Sequence, residues 1–389
     1  MREIYLDNSA TTRISEAALS KYIEISRECY GNPSSLHTMG FKAEGIIEGA
    51  RAEIRESLAA KDASVIFCSS GSEANNLAIT GRALSKERFK KKAKIITTEG
   101  EHASVEEPLA SLEKQGFKIA RIPTRGGKLD TDALCRELTS DVILVTMMMI
   151  NNETGAYYDL GEVSKMIKRL APDAYLHIDA TQSYMKLPFT LTGVGADMIT
   201  LSSHKIEGPK GVGALVVNER VVKQRGLAPI ILGGGQEGGM RSGTENVPAI
   251  AAFGEAVKNA RASLRARYYK MMELREYLVE RLTTDEALAE VSLTLPTRFA
   301  PHILNITLPS IKSETMLHFL SSFGIYVSSG SACSSNSRHI SSALVAYGRS
   351  EGEADCSLRI SFSHMNSRED VDELCLRLGE GLKKLTRVR

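Results

Sequence analysis

The feature that most constrains this chain is a recurring unit: a short β-rich apolar run, a polar or glycine-bearing turn, then an amphipathic helical stretch. The runs lie at Ser64–Cys68, Lys94–Thr98, 142–150, Tyr175–Asp179, Met198–Ser202 and Gly213–Val217, with helical patterns such as 73–84, 104–115 and Leu160–Leu170 between them. Parallel strands need crossover connections of helical length, and this spacing provides them. The pattern predicts an α/β architecture: a large domain whose mainly parallel sheet is covered by helices on both faces. Antiparallel pairing stays open for any single strand. Around Val257 the texture changes to a long charged helical stretch at 253–282. It is followed by strand-like 291–295 and 303–308, a helix near 313–323, a strand at 357–362 and a helix over 368–385. We read a large domain over residues 15–257 and a smaller α+β domain over 258–389, joined by the N-terminal segment 1–14.

Composition narrows the class. The 389 residues are 42% hydrophobic and 25% charged, the balance of a folded globular protein. Forty-nine basic and 47 acidic side chains give a formal net charge of +2, too weak a field to hold nucleic acid or an anionic membrane. The longest apolar run, 142–150, falls far short of the roughly 20 residues of a membrane span. The N-terminus turns polar after its first six residues, unlike a secretory signal. The six cysteines contain no CxxC pair, which argues against a zinc ribbon or dithiol motif. A cytoplasmic enzyme is the expectation. Most of the cysteines read as small buried hydrophobes. Cys333 differs, because the Gly/Ser-rich stretch VSSGSACSSNS reads as an exposed setting for a reactive thiol.

Open parallel sheets bind ligands beyond the carboxyl ends of their strands, so the residues after each run are the site candidates. Ser69-Ser70-Gly71-Ser72-Glu73 opens a helix, where free N–H groups and the helix dipole favour an anion such as phosphate. Glu101-His102, Asn151-Asn152-Glu153-Thr154-Gly155, Asp179 with Gln182, and Ser203-His204-Lys205 follow later runs. Each alone is explained by capping or turn chemistry. Together they are the parts that pyridoxal phosphate (PLP) requires: a lysine for its aldehyde, a carboxylate for its ring nitrogen, a phosphate cradle and a flat group against its ring. Lys205, Asp179, residues 70–72 and His102 supply these in turn. Lys210 competes for the lysine role, although its place between Pro209 and Gly211 suits a turn. Arg359, in a small-domain strand, suits capture of an amino acid's carboxylate. His177 and Asp179 form an HxD pair with no third metal ligand at sensible spacing, so no metal is expected.

Together these motifs resemble the cysteine desulfurases (NifS/IscS-like) of the class V aminotransferase family, which are fold type I PLP enzymes, and the resemblance implies a large domain with a mainly parallel seven-stranded sheet beside the smaller α+β domain. The resemblance runs from YLDNSATT through GNPSSLH, SSGSEANNLA, EH, NNETG, HIDATQS, SSHKIEGPKG, GGGQEGGMRSGTENVPA and SSGSACSS to SLRISFS. It implies a cysteine desulfurase that converts L-cysteine to L-alanine and leaves the sulfur as a persulfide on Cys333. The resemblance makes Lys205 the Schiff-base lysine, Asp179 the partner of the pyridine nitrogen, Gln182 a contact of the phenolic oxygen, and His102 the group that stacks on the ring and moves protons. It places Gly71, Ser72, Ser202 and His204 at the phosphate, with Thr244 joining from a neighbouring subunit, hence a homodimer. Asn152 and Arg359 would hold the substrate carboxylate, with Asn32 nearby. The sulfur acceptor would be an iron–sulfur scaffold or a tRNA-thiolation protein. The alternatives are a selenocysteine lyase or PLP-dependent aminotransferase not requiring Cys333, and a catalytically idle sulfur-relay protein. Several positions depart from the pattern: Ser72 for a threonine, Gly238 for an arginine, Glu207 beside the lysine, and Ser363-His364 after the arginine strand. With thirty residues after Arg359, the resemblance leads us to expect no longer tail of the kind some relatives use to dock a scaffold, which leaves the acceptor open.

Overall fold

The computed structural model of the chain describes residues 2–85, 93–329 and 340–385. In chain order the strands are β1 (Ile4–Tyr5), β2 (Ser64–Cys68), β3 (Lys94–Thr98), β4 (Lys118–Ile122), β5 (Val142–Met148), β6 (Tyr175–Asp179) and β7 (Met198–Ser202). They continue with β8 (Gly213–Val217), β9 (Ser292–Thr294), β10 (Ile303–Thr307), β11 (Ile325–Tyr326), β12 (Ser328–Ser329) and β13 (Ser357–Ser361). Seven of them form one sheet in the order β2-β8-β7-β6-β5-β3-β4. Only β8 breaks its parallel sense, lying antiparallel between β2 and β7.

Successive side chains on a strand leave by opposite faces. On β2, Val65 and Phe67 enter the core shared with Ile54 and Phe253, whereas Ile66 and Cys68 enter the one shared with Leu77 and Ala78 of the helix Gly71–Ser85. With both faces buried, the strands read as unbroken apolar runs. The run at 142–150 extends past the strand it encodes: β5 ends at Met148, and Ile150 makes an isolated antiparallel bridge to Tyr157. Edge strand β4 escaped the strand-by-strand reading. Its sequence KIARI is broken by Lys118 and by Arg121, whose guanidinium pairs with Glu106.

The 38-residue helix Val247–Thr284 serves both domains. Its buried residues as far as Ala260 pack in the large-domain core, and those from Met271 to Leu282 pack in the small one. The division read at residue 257 falls within this one continuous helix. The small-domain sheet runs β12-β13-β10-β9, antiparallel throughout. Leu304, Ile306, Leu358 and Ile360 fill its core, and the alternate positions carry Asn305 and Arg359 as cross-strand partners. The N-terminal segment ties the domains together. β1 pairs parallel with β11 and Leu6 is buried in the small core, while Thr12 N–H donates to His204 O in the large domain at 2.9 Å.

Candidate active site

The central residue is Lys205, in a short helical turn after β7. Its Nζ donates to Ser9 O at 2.6 Å and Ala10 O at 2.7 Å, so the N-terminal segment holds the amine with main-chain carbonyls. Burial, with Arg359 adding to it, pulls its pKa down to about 8, and Asp7 and Asp179 oppose the fall only in part. Lys210 is exposed. The turn after Lys205 is fixed at Glu207, which sits in the left-handed region at φ 67°, a conformation that costs a non-glycine residue about 1–3 kcal/mol. Thr12 Oγ1 accepts from Glu207 N at 2.8 Å, and Ser15 N donates to Glu207 O at 2.9 Å. Two of the departures noted in the sequence meet here. Glu207 Oε1 lies 3.2 Å from His364 Nδ1 and 3.0 Å from Arg267 Nη1. Burial raises the Glu207 pKa, but the His364 hydrogen bond and Arg267 outweigh it and hold the carboxyl below its ordinary value.

Asp179 ends β6 with its carboxylate inside the fold. Its Oδ2 accepts from Asn75 Nδ2 at 2.8 Å and its Oδ1 from Thr181 N at 2.9 Å. Asn75 Nδ2 also reaches Ser104 Oγ at 2.8 Å, and Ser104 Oγ lies 2.8 Å from His102 Nδ1. Asp179 and His102 are thereby joined through two side chains. His102 caps the helix Ala103–Lys114, and desolvation holds its pKa below the ordinary value against the pull of Asp179. Gln182 Nε2 donates to Ser9 O at 2.9 Å, the same carbonyl that holds Lys205. His204, beside Thr11 Oγ1 at 3.1 Å, is pushed down to about 4 by burial and by Lys205 and Lys210. Gly71 opens its helix in close quarters: a Cβ there would meet Thr181 Oγ1 at 3.2 Å and Ser202 Cβ at 3.3 Å.

Arg359 is 9% exposed and joins three segments. Its Nη2 donates to Asp7 Oδ1 and to Ser328 Oγ, both at 3.0 Å, and its Nη1 to the Asn152 carbonyl at 3.0 Å. Asn152 therefore meets the arginine through its backbone. Ser72, Asn32 and Thr244 are exposed, and Asn32 Oδ1 is taken by Ser34 N at 2.9 Å. Cys333 lies outside the described residues; of the described cysteines, Cys29, Cys68, Cys356 and Cys375 are buried. His177 is a sheet residue, its Nδ1 2.8 Å from Thr146 Oγ1 and its Nε2 3.0 Å from Thr200 Oγ1, and burial brings its pKa down to about 4. Among the described residues no group of three metal-ligating side chains forms.

The sequence reading gave no role to Asp7, Asn75, Ser104 or the carbonyls of Ser9 and Ala10. Asn75 had a usable signal, since it lies four residues after Gly71 and so shares its helix face.

The chain matches the family model described as Aminotransferase class-V over residues 4–374. It belongs to that family. The chain is 37% identical to cysteine desulfurase IscS 1 of Archaeoglobus fulgidus and 36% identical to a NifS/IcsS protein homolog of Lactobacillus delbrueckii subsp. bulgaricus. Each alignment covers 95% of this chain and 94% of the relative. The solved structure of a NifS-like protein matches this class V chain with a TM-score of 0.90 at 33% identity, covering 99% of this chain and 100% of that one. The fold is thus fold type I, with the small-domain arginine and the large-domain lysine set around one N-terminal segment.

Proposed function

We propose that this class V family member is a PLP-dependent cysteine desulfurase. The observation that carries the reading is the Lys205 amine, inside the fold, held by two main-chain carbonyls, with Asp179 and Arg359 both close enough to act on its pKa. The residues present fit PLP. Gly71 leaves a cradle that a side chain would crowd, and a buried carboxylate stands at Asp179. Ser203 Oγ and Ser9 Oγ are buried polar atoms without a hydrogen-bond partner.

When bound, PLP supplies an electron sink joined to the substrate carbon, which is what lets a Cβ–S bond break. In this reading Lys205 anchors the aldehyde, Asp179 holds the ring nitrogen protonated, and Gln182 meets the phenolic oxygen. Gly71, Ser72, Ser202 and His204 hold the phosphate, with Thr244 from a second copy of the chain. Asn152 and Arg359 orient the carboxylate of L-cysteine, with Asn32 nearby. Arg359 already shares its guanidinium with Asp7, so the substrate would compete with or join that pair. His102, with its lowered pKa, takes and returns protons at neutral pH. The Cys333 thiolate attacks the substrate sulfur: an S–S bond forms, the Cβ–S bond breaks, and its electron pair stays with the carbon fragment. A proton then completes alanine. The sum is cysteine plus enzyme thiol giving alanine plus enzyme persulfide. Ser329 precedes Cys333 by four residues, which limits the Cys333 Cα to within about 14 Å of a strand end beside Arg359.

A dimer is supported by exposed apolar side chains near GNPSSLH and the glycine-rich loop, with Leu36 at 90% and Leu232 at 80% exposure. A reducing cytoplasm suits the unpaired described cysteines. The acceptor is read as an iron–sulfur scaffold or tRNA-thiolation protein. The test is to incubate PLP-loaded protein with L-cysteine and quantify both products. Equal amounts of alanine and bound persulfide are expected, and cofactor turnover without persulfide would overturn the reading.

A further inference from the structure

An arginine carries its N–H groups in a planar fork, and those of Arg359 are largely engaged among the described residues. Nη2 uses both of its hydrogens, on Asp7 Oδ1 and on Ser328 Oγ, each at 3.0 Å, and Nη1 donates to the Asn152 carbonyl at 3.0 Å. Nε is buried and has no partner among the described residues. An arginine grips a carboxylate with two parallel N–H groups on one edge of the fork. One edge is Nε with Nη2 and the other is Nη1 with Nη2, so both edges run through the nitrogen that Asp7 and Ser328 have filled. A two-pronged grip on a substrate carboxylate therefore requires one of them to give way.

Asp7 is held in this place by its backbone. It makes an isolated parallel bridge to Ser361, two residues on from Arg359, and its carbonyl accepts from Ala10 N at 3.0 Å. Ser328 Oγ, while accepting from Arg359, donates to Asp7 Oδ1 at 2.8 Å. The turn that Asp7 begins also presents the Ser9 and Ala10 carbonyls to Lys205 Nζ. One short segment thus touches both cations of the site. The Arg359 side chain is 10% exposed and that of Asp7 19%, so water screens the pair only in part. Whichever neighbour yields, a second carboxylate at Arg359 meets the charge of the first, and like charges set side by side oppose binding.

We infer that Asp7 is a resident carboxylate of the substrate site: it holds the Arg359 fork where a substrate carboxylate uses it, and its charge weakens the binding of that carboxylate. Arg359 is the carboxylate grip in the desulfurase reading, on which this inference rests. Asp7 acts through Arg359 and is a positioning residue. By the same charge it favours release of a product acid.

Wild type, Asp7→Asn and Asp7→Ala, each PLP-loaded, test it by calorimetric titration with L-alanine and with L-alaninamide, which lacks the carboxylate. Asparagine keeps an oxygen for Arg359 and Ser328 but not the charge. Asp7→Asn should bind L-alanine about tenfold more tightly than wild type, and should gain little on L-alaninamide. The second readout is the pH midpoint of cofactor loading by the same proteins stripped of PLP. Burial and then Arg359 pull the Lys205 pKa down, Lys186 adds to the fall, and Asp7 and Asp179 oppose it; His102 and His204 in turn feel the lysine charge. Both neutral variants should therefore shift the midpoint to lower pH. Loosened packing would shift it the other way, since water around a buried lysine raises its pKa. Unchanged or weaker L-alanine binding by Asp7→Asn would overturn the inference and leave Asp7 a brace for Arg359. So would an equal gain on L-alaninamide, or a midpoint unmoved or raised in both variants. Should Asp7→Asn fail to fold, Asp7→Ala still supplies the midpoint, which follows the charge. If wild type forms no persulfide from L-cysteine, the desulfurase reading fails, while the L-alanine titration, which involves no sulfur, still decides the role of Asp7.

Discussion

Asn75 stands between Asp179 and Ser104, its Nδ2 2.8 Å from Asp179 Oδ2 and 2.8 Å from Ser104 Oγ. One amide thus links the carboxylate at the end of β6 to the residue that holds His102. A hydrogen bond to a charged group contributes about 1.5–3 kcal/mol, and each 1.4 kcal/mol is tenfold in a binding constant. Asn75→Ala should therefore weaken PLP binding about 10- to 100-fold. An absorbance titration of the apoprotein checks this, and Asn75→Asp should do worse by setting a second carboxylate against Asp179.

Gly71 gives the second prediction. A methyl group there presses on Thr181 Oγ1 and Ser202 Cβ. Gly71→Ala should leave the melting temperature within a few degrees, because a crowding cost of about 1–3 kcal/mol is small for a chain of this size. It should also speed PLP loss on dialysis. Equal retention by variant and wild type would remove Gly71 from the cradle.

The pH dependence of cofactor loading follows from Lys205. An ordinary lysine amine near 10.4 is almost wholly protonated at neutral pH, whereas this one titrates at about 8. Loading should rise through pH 8 and level off above it, when the rate is followed by stopped-flow absorbance. In the apoprotein the unfolded state holds this proton between about 8 and the ordinary value while the folded state has lost it. Lys205 therefore opposes folding most below pH 8, and its penalty is relieved as pH rises.

Glu101 carries the opposite sign. It is buried and accepts from Met148 N at 3.0 Å and from Thr98 Oγ1, and burial pushes its pKa up to about 8. Between the ordinary carboxylate value and 8 the native state keeps a proton that the unfolded state releases, so this group costs stability increasingly as pH rises through that window. Glu101→Gln should flatten the fall of melting temperature between pH 5 and 8, as measured by calorimetry.

Much of this was legible before the fold was seen, and the exceptions have physical reasons. The strands β2, β3, β6, β7 and β8 declared themselves because both faces are buried, which leaves unbroken apolar runs. The edge strand β4 faces solvent on much of its length and carries paired charges, so its sequence resembles a turn-flanked loop. The reversed direction of β8 leaves no trace in periodicity, since a strand reads alike from either end. In the site, Lys205, Asp179 and His102 could be picked by their places after strands. The Asp7–Arg359 pair spans most of the chain and is created by the N-terminal segment crossing both domains. The carbonyls of Ser9 and Ala10 have no side-chain signature at all. Asn32 and Thr244, read as substrate and phosphate contacts, are exposed among the described residues.

The most direct test of the account sets wild type beside Cys333→Ala, both PLP-loaded, in a single turnover with L-cysteine, with peptide mass spectrometry and alanine quantified together. The account predicts one added sulfur on the Cys333 peptide of the wild type with matching alanine. It predicts retained PLP absorbance but a loss of alanine formation of at least about 100-fold in the variant, the scale on which a lost nucleophile is felt. Alanine released by the variant at the wild-type rate, or sulfur recovered on some other cysteine, would contradict it.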